Sequence, residues 1–116
     1  MRSTLPLTIF GFVSTALAGA LANCRGGPFS NECVFVYGGT GCEGYNLETS
    51  YRPTCEGNCY AYPFGSISVQ ASEFYNVDCH AYSDDNCQNE IGDTGNVNGG
   101  CYNFSNGRSM KCYYHC

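Results

Sequence analysis

The chain reads as an all-β, disulfide-rich protein, and three observations predict that class. Ten cysteines all lie beyond residue 22. Short β-branched and aromatic runs alternate with Gly- and Asn-rich turns. One pattern also occurs twice: Tyr37 and Cys42 are answered by Tyr82 and Cys87, Cys55 by Cys101, and Ser66-Ile67-Ser68-Val69 by Ser109-Met110-Lys111-Cys112, each about 45 residues on. A spacing held across four landmarks predicts two copies of one supersecondary unit, about 33–71 and 78–114, that bury their apolar faces together.

The first 22 residues are read apart from the fold. Arg2 precedes a mostly apolar stretch, Leu5 to Leu21, and Ala20-Leu21-Ala22 supplies the small residues of a cleavage site, so residues 1–22 read as a signal peptide. Pro6, Thr8, Gly11 and Gly19 interrupt that stretch, and a spanning helix of roughly 20 apolar residues is the weaker reading. The expectation is a secreted, extracellular protein whose residues 23–116 form a single domain.

Cys24, Cys33, Cys42, Cys55, Cys59, Cys79, Cys87, Cys101, Cys112 and Cys116 form an even set at high density, which in a secreted chain reads as up to five bridges. Spacing leaves their pairing open. Metal is not expected: Cys55/Cys59 and Cys112/Cys116 are closely spaced, but zinc-binding cysteines belong to reducing compartments, whereas this set reads as bridged. No cofactor is expected either. The staples are needed because large aliphatics are few after residue 22, chiefly Val34, Val36, Leu47, Ile67, Val69, Val77, Ile91, Val97 and Met110. A core that small is marginal by itself. Ten tyrosines and, after residue 22, five of the seven phenylalanines supply ring area in its place.

Charge excludes some partners. Beyond residue 22 the bases are Arg25, Arg52, Arg108 and Lys111, set against ten Asp and Glu. No basic patch for nucleic acid is visible, and attraction to an anionic bilayer is disfavoured. An extracellular protein or glycan of a host or competing organism fits better. Nothing fixes an oligomeric state.

Cys33-Val34-Phe35-Val36-Tyr37 predicts a strand, closed by a turn at Gly38-Gly39-Thr40-Gly41. Ser66 to Ala71 alternates apolar and polar residues as a half-buried strand does. Phe74 to Tyr82 and Met110 to Tyr114 read as further strands, whereas Gly92-Asp93-Thr94-Gly95-Asn96 and Asn98-Gly99-Gly100 read as turns. No window of useful length carries a helical period.

Tyr37, Gly41 or Gly44, and Ser66-Ile67-Ser68-Val69 resemble one βγ-crystallin Greek-key motif: an aromatic in the first strand, a hairpin glycine, and a serine opening the fourth strand. Tyr82, the Asp85-Asn86 turn and Ser109-Met110-Lys111-Cys112 resemble a second, in which Asn86 and Asn89 stand where glycine would. The resemblance implies two Greek-key-like units forming one βγ-crystallin-like sandwich. It also implies a function: small cysteine-rich secreted relatives include killer toxins, antimicrobial proteins and fungal effectors, which act by binding. The calcium ligands of the wider family find no match at Ala61 to Ser66 or at Phe104 to Ser109, so calcium is not expected.

Pieces for acid–base catalysis exist in His80, His115, Glu73, Glu90, Arg52 and Arg108, as a small ribonuclease would need, but no motif assembles them. The Asp84-Asp85 neighbours read as a solvated turn. No nucleophile elbow or zincin helix is present, and the chain is expected not to be an enzyme. Tyr60, Tyr62, Phe64, Tyr113 and Tyr114 are the candidate ligand-contact aromatics, since rings stack on sugar faces, although cross-strand packing is the commoner use of such rings. Asn103-Phe104-Ser105 is a glycosylation sequon. The expected function is a secreted non-enzymatic effector or antimicrobial toxin, with a cell-wall carbohydrate-binding protein second and a small hydrolase third.

Overall fold

The computed structural model describes Cys24, residues 32–71, residues 75–114 and Cys116. The expected signal peptide, Glu73, Phe74 and His115 lie outside the described residues. Six strands follow one another: β1 (Cys33–Tyr37), β2 (Leu47–Tyr51), β3 (Cys59–Gln70), β4 (Val77–Tyr82), β5 (Glu90–Val97) and β6 (Cys101–Tyr114). A 3-10 turn, Gly44–Asn46, precedes β2. All pairings are antiparallel, in the order β2-β1-β3-β6-β4-β5. The class expected from sequence, all-β and disulfide-rich, is what the structure has.

β1 forms where predicted because Val34 and Val36 face inward and are fully buried. β3 and β6 are longer than the alternation in Ser66–Ala71 or Met110–Tyr114 suggests. Each serves two neighbourhoods: the end of β3 pairs with β1 and the start of β6, while the start of β3 pairs with the end of β6, which also holds β4. The changeover lies between Ala61 and Ser66, where the register shifts twice. Pro63, which has no N–H to give a ladder, sits in that break.

The start of β3 also touches β2, from which β1 separates it in the sheet order: Tyr60 Oη lies 3.2 Å from Thr49 Oγ1, and Tyr62 Oη donates to Glu48 Oε1 at 3.0 Å. One continuous hydrogen-bonded sheet therefore folds back over its own inner face, in place of two sheets joined only by loops. A single buried cluster fills the inside, with Val34, Val36, Ile67 and Val69 from one half, Val77, Cys79, Ala81, Met110 and Cys112 from the other, and Phe64 among them.

The β1–β3 and β4–β6 pairs carry the same register. Val34 faces Val69 as Cys79 faces Cys112, Val36 faces Ile67 as Ala81 faces Met110, and Tyr37 faces Ser66 as Tyr82 faces Ser109. Thus the Cys79–Cys112 disulfide occupies the place that a Val–Val pair fills in the other copy. The turns after β1 and β4 match as well. Ser66 Oγ donates to Gly39 O and accepts from Cys42 N; Ser109 Oγ donates to Asp84 O and accepts from Cys87 N. Cys42 and Cys87 both take left-handed backbone, at φ 52° and 56°, and the buried serine offsets part of that cost by satisfying two backbone groups.

All ten cysteines are bridged: Cys24–Cys33, Cys42–Cys101, Cys55–Cys116, Cys59–Cys87 and Cys79–Cys112. Two of these follow the duplication. Cys42–Cys101 ties the turn after β1 to the start of β6, and Cys59–Cys87 ties the turn after β4 to the start of β3. Each copy is locked to the opening of the other copy's third strand. The counterpart of Cys101 is therefore Cys59 and not Cys55, which instead holds Cys116.

A second correction concerns Gly92 to Asn96, expected as a turn and found inside β5. β5 is an edge strand paired only with β4 and mostly exposed, so burial imposes no apolar alternation on it. The register shifts twice, between Ala81–Gly92 and Tyr82–Glu90 and between Asp78–Asn96 and His80–Asp93; at the latter the β5 side has an extra residue, Gly95 has φ 68°, and Thr94 Oγ1 takes the Cys79 N–H at 3.0 Å in place of a ladder carbonyl. That is a β-bulge, which re-aims the side chains around it.

Candidate functional site

Alternation along β3 puts Tyr60, Tyr62 and Phe64 on one face, with Cys59, Ala61 and Pro63 on the other. The row begins at Tyr51 of β2. The Tyr51 and Tyr60 ring centroids are 4.7 Å apart, and the Tyr60 and Tyr62 rings lie within 7° of parallel at 6.1 Å. Hydroxyl contacts set the ring poses: Tyr51 Oη donates to Asn58 O at 2.6 Å, Tyr60 meets Thr49, and Tyr62 donates to Glu48. That bond to a carboxylate, more than burial, raises the Tyr62 pKa, so the phenol stays a donor. The three rings are half-buried, with one side on the core and the rest exposed.

At the end of the row is a groove of about 470 Å³ lined by Gly38, Glu48, Tyr62, Phe64, Gly107 and Arg108. Gly107 is required there, because a Cβ at this position would sit 2.6 Å from the Phe64 ring. Phe64, which lines the groove, meets Phe104 edge-on at 6.1 Å. Arg108 holds Asp85 through two bonds, Nε to Oδ1 at 3.0 Å and Nη2 to Oδ2 at 3.3 Å. A row of flat rings with a carboxylate, a phenol and a guanidinium at one end can stack on apolar ring faces and bond hydroxyl groups.

The five aromatics expected to contact a ligand thus divide. Tyr60, Tyr62 and Phe64 stand together, and Tyr51, Glu48 and Arg108 join them from other strands. Tyr113 and Tyr114 are elsewhere. Tyr113 lies over Gly57 and meets the His80 ring edge-on at 5.9 Å, while Tyr114 meets Tyr75 edge-on at 5.8 Å. Consecutive strand residues face opposite ways, which separates this pair. Tyr45, in the 3-10 turn, is the most exposed large apolar side chain among the described residues, at 85%, and carried no signal beyond its type. Asn103 is exposed on β6, and its Oδ1 accepts from Gly41 N at 2.8 Å, so the sequon asparagine also links the two copies.

Of the acid–base pieces among the described residues, His80 and Glu90 meet at 2.9 Å and the two arginines lie elsewhere. Arg52 pairs with buried Glu32 at 3.1 Å and Arg108 with Asp85, whereas His80 lies in a second hollow of about 480 Å³ with Asp78, Asn96 and Tyr113. Burial pulls the His80 pKa down, but the hydrogen bond to Glu90 and the charges of Asp78 and Glu90 together outweigh it, leaving the pKa above the ordinary value. Asp84 and Asp85 point to different partners. Asp84 accepts from the backbone N–H groups of Asn86, Gln88 and Asn89, which holds its pKa below the ordinary carboxylate range.

A carboxylate with a depressed folded pKa contributes stability that is present above the unfolded pKa, about 4, and is lost as pH falls through the folded value. The urea midpoint of the wild type should therefore fall more between pH 5 and pH 2 than that of Asp84→Asn. Parallel pH profiles for the two proteins would refute the assignment.

Comparison with known families, with curated proteins and with solved structures returned no match for this chain.

Proposed function

We propose that this protein is a secreted, non-enzymatic binder of the effector or antimicrobial-toxin kind, acting on an extracellular target through the tyrosine row of β2 and β3. Five disulfides and no free cysteine fit an oxidising, extracellular setting. The matched registers and the paired serine-turn bonds support the βγ-crystallin-like reading of the duplication. The observation that carries the functional reading is the Tyr51-Tyr60-Tyr62 row running into the groove at Phe64 and Arg108.

Within that reading, a cell-wall glycan is the target that the row favours. Flat rings in line match successive sugar faces, and the acid, phenol and guanidinium at the end suit sugar hydroxyls. The test is retention of the disulfide-intact protein on insoluble chitin, cellulose and β-glucan. Wild type should be retained on one of them. Tyr62→Leu should bind about tenfold more weakly, equivalent to ~1.4 kcal/mol, while Tyr62→Phe keeps the ring and most of the binding. Equal retention of wild type and Tyr62→Leu would remove the row from the account, and no retention on any glycan would transfer the proposal to a protein target.

A further inference from the structure

At the end of the strand order away from β2, the β4–β5 hairpin gathers a different chemistry. We propose that His80, Glu90 and Asp93 form a binding site for a divalent transition-metal ion, zinc in an extracellular fluid. The proposal is independent of the glycan reading.

The hairpin register brings the three residues together. His80 and Asp93 are direct cross-strand partners beside the bulge, and Glu90 opens β5 opposite Tyr82. One ligand atom from each of the three lies within 4.8 Å of the others. Two zinc ligands at about 2.1 Å from the ion stand about 3.4 Å apart in tetrahedral geometry, so small rotations of two exposed carboxylates close the site. A mixed imidazole–carboxylate set suits zinc, copper or nickel. Calcium takes six to eight oxygens, and this cluster does not offer them. Three protein ligands also leave a fourth position for water or a donor from a partner.

The second observation is Asp78. The His80 ring lies between two carboxylates, with Nδ1 2.9 Å from Glu90 Oε2 and Nε2 3.3 Å from Asp78 Oδ1. Asp78 Oδ1 is sheltered from solvent, and the His80 ring is the group it faces. With a metal on Nδ1, the imidazole is neutral and carries its proton on Nε2, facing Asp78. This is the carboxylate–histidine–metal arrangement that orients metal-binding imidazoles. The local charge points the same way: Asp78, Glu90 and Asp93 surround a single imidazole, and Lys111 is the base opposite His80 on β6. A dication offsets that excess of negative charge.

The experiment is calorimetric titration of the disulfide-intact protein with zinc chloride alone, with the His80 ring signals followed by NMR. One-to-one saturable binding is expected, with the His80 ring signals shifting. Asp93→Asn, an exposed change that leaves the core untouched, and His80→Ala should each weaken binding at least tenfold, and Asp78→Asn should weaken it about 10- to 100-fold. His115→Ala should leave binding unchanged. Absence of saturable binding, binding that survives both Asp93→Asn and His80→Ala, or binding lost in His115→Ala would overturn the site.

Discussion

Replacing Cys42, Cys101, Cys59 and Cys87 together by serine is expected to leave a chain that does not reach the native fold, whereas Cys79→Val with Cys112→Val leaves a folded one. The first pair of bridges closes segments of 59 and 28 residues and locks each copy to the other. On the chain-entropy account they contribute about 3–4 kcal/mol each, which together approaches the whole stability of a small domain, about 5–15 kcal/mol. The Cys79–Cys112 bridge is different because its register position is filled by Val34 and Val69 in the other copy. Valines there replace the bridge with packing that this fold already uses. The expected loss is about 2–4 kcal/mol with the native spectrum retained. Amide dispersion in NMR and far-UV circular dichroism separate the outcomes. Native dispersion in the four-serine variant would contradict the cross-locking.

Ser109→Ala is expected to cost about 2–4 kcal/mol, large for the loss of one hydroxyl. Ser109 is fully buried, and its Oγ both donates to Asp84 O and accepts from Cys87 N. Alanine strips the buried Cys87 N–H and the half-buried Asp84 carbonyl of their partner, at about 1–3 kcal/mol for a buried group and less for the carbonyl. Cys87 must meanwhile keep its left-handed backbone. Ser66→Ala removes the matching pair of bonds in the other copy, where the turn is more open to water, and should cost less. The guanidinium midpoint at constant slope measures both. A loss under about 0.5 kcal/mol for Ser109→Ala, within the range of ordinary surface changes, would show that the serine does not hold the turn.

The fold was legible where burial dictates residue type. Cys33–Tyr37 announces β1 because both of its inward residues are aliphatic and fully buried. Leu47–Tyr51 and Glu90–Val97 did not announce β2 and β5, because edge strands with exposed faces accept Glu, Asp, Gly and Asn. The matched registers were legible through Tyr37, Tyr82, Ser66 and Ser109, since those positions pair and bond alike in β1–β3 and in β4–β6. Cys55 misled because it keeps nearly the same spacing as Cys59, and only the strand starts tell them apart. For the candidate groove, Tyr60, Tyr62 and Phe64 were legible as alternate residues of one strand. Tyr51, Glu48 and Arg108 were not, since the fold-back of β3 brings them in from elsewhere. Asp93 escaped notice for a similar reason: its meeting with His80 depends on a hairpin register and a bulge inside a segment that reads as turn.

Mutual locking of two copies underlies the placement of the tyrosine row, the groove and the β4–β5 hairpin, and peptide mapping of the non-reduced protein tests it directly. Glu43, Glu56 and Glu90 separate Cys42, Cys55, Cys59, Cys87 and Cys101, while Tyr37 parts Cys33 from Cys42 and Asp84-Asp85 parts Cys79 from Cys87, so cleavage after acidic residues and after tyrosine isolates both bridges for mass spectrometry. The account predicts peptides joined through Cys42–Cys101 and Cys59–Cys87. Peptides joined through Cys42–Cys59 and Cys87–Cys101, with each copy closed on itself, would contradict it.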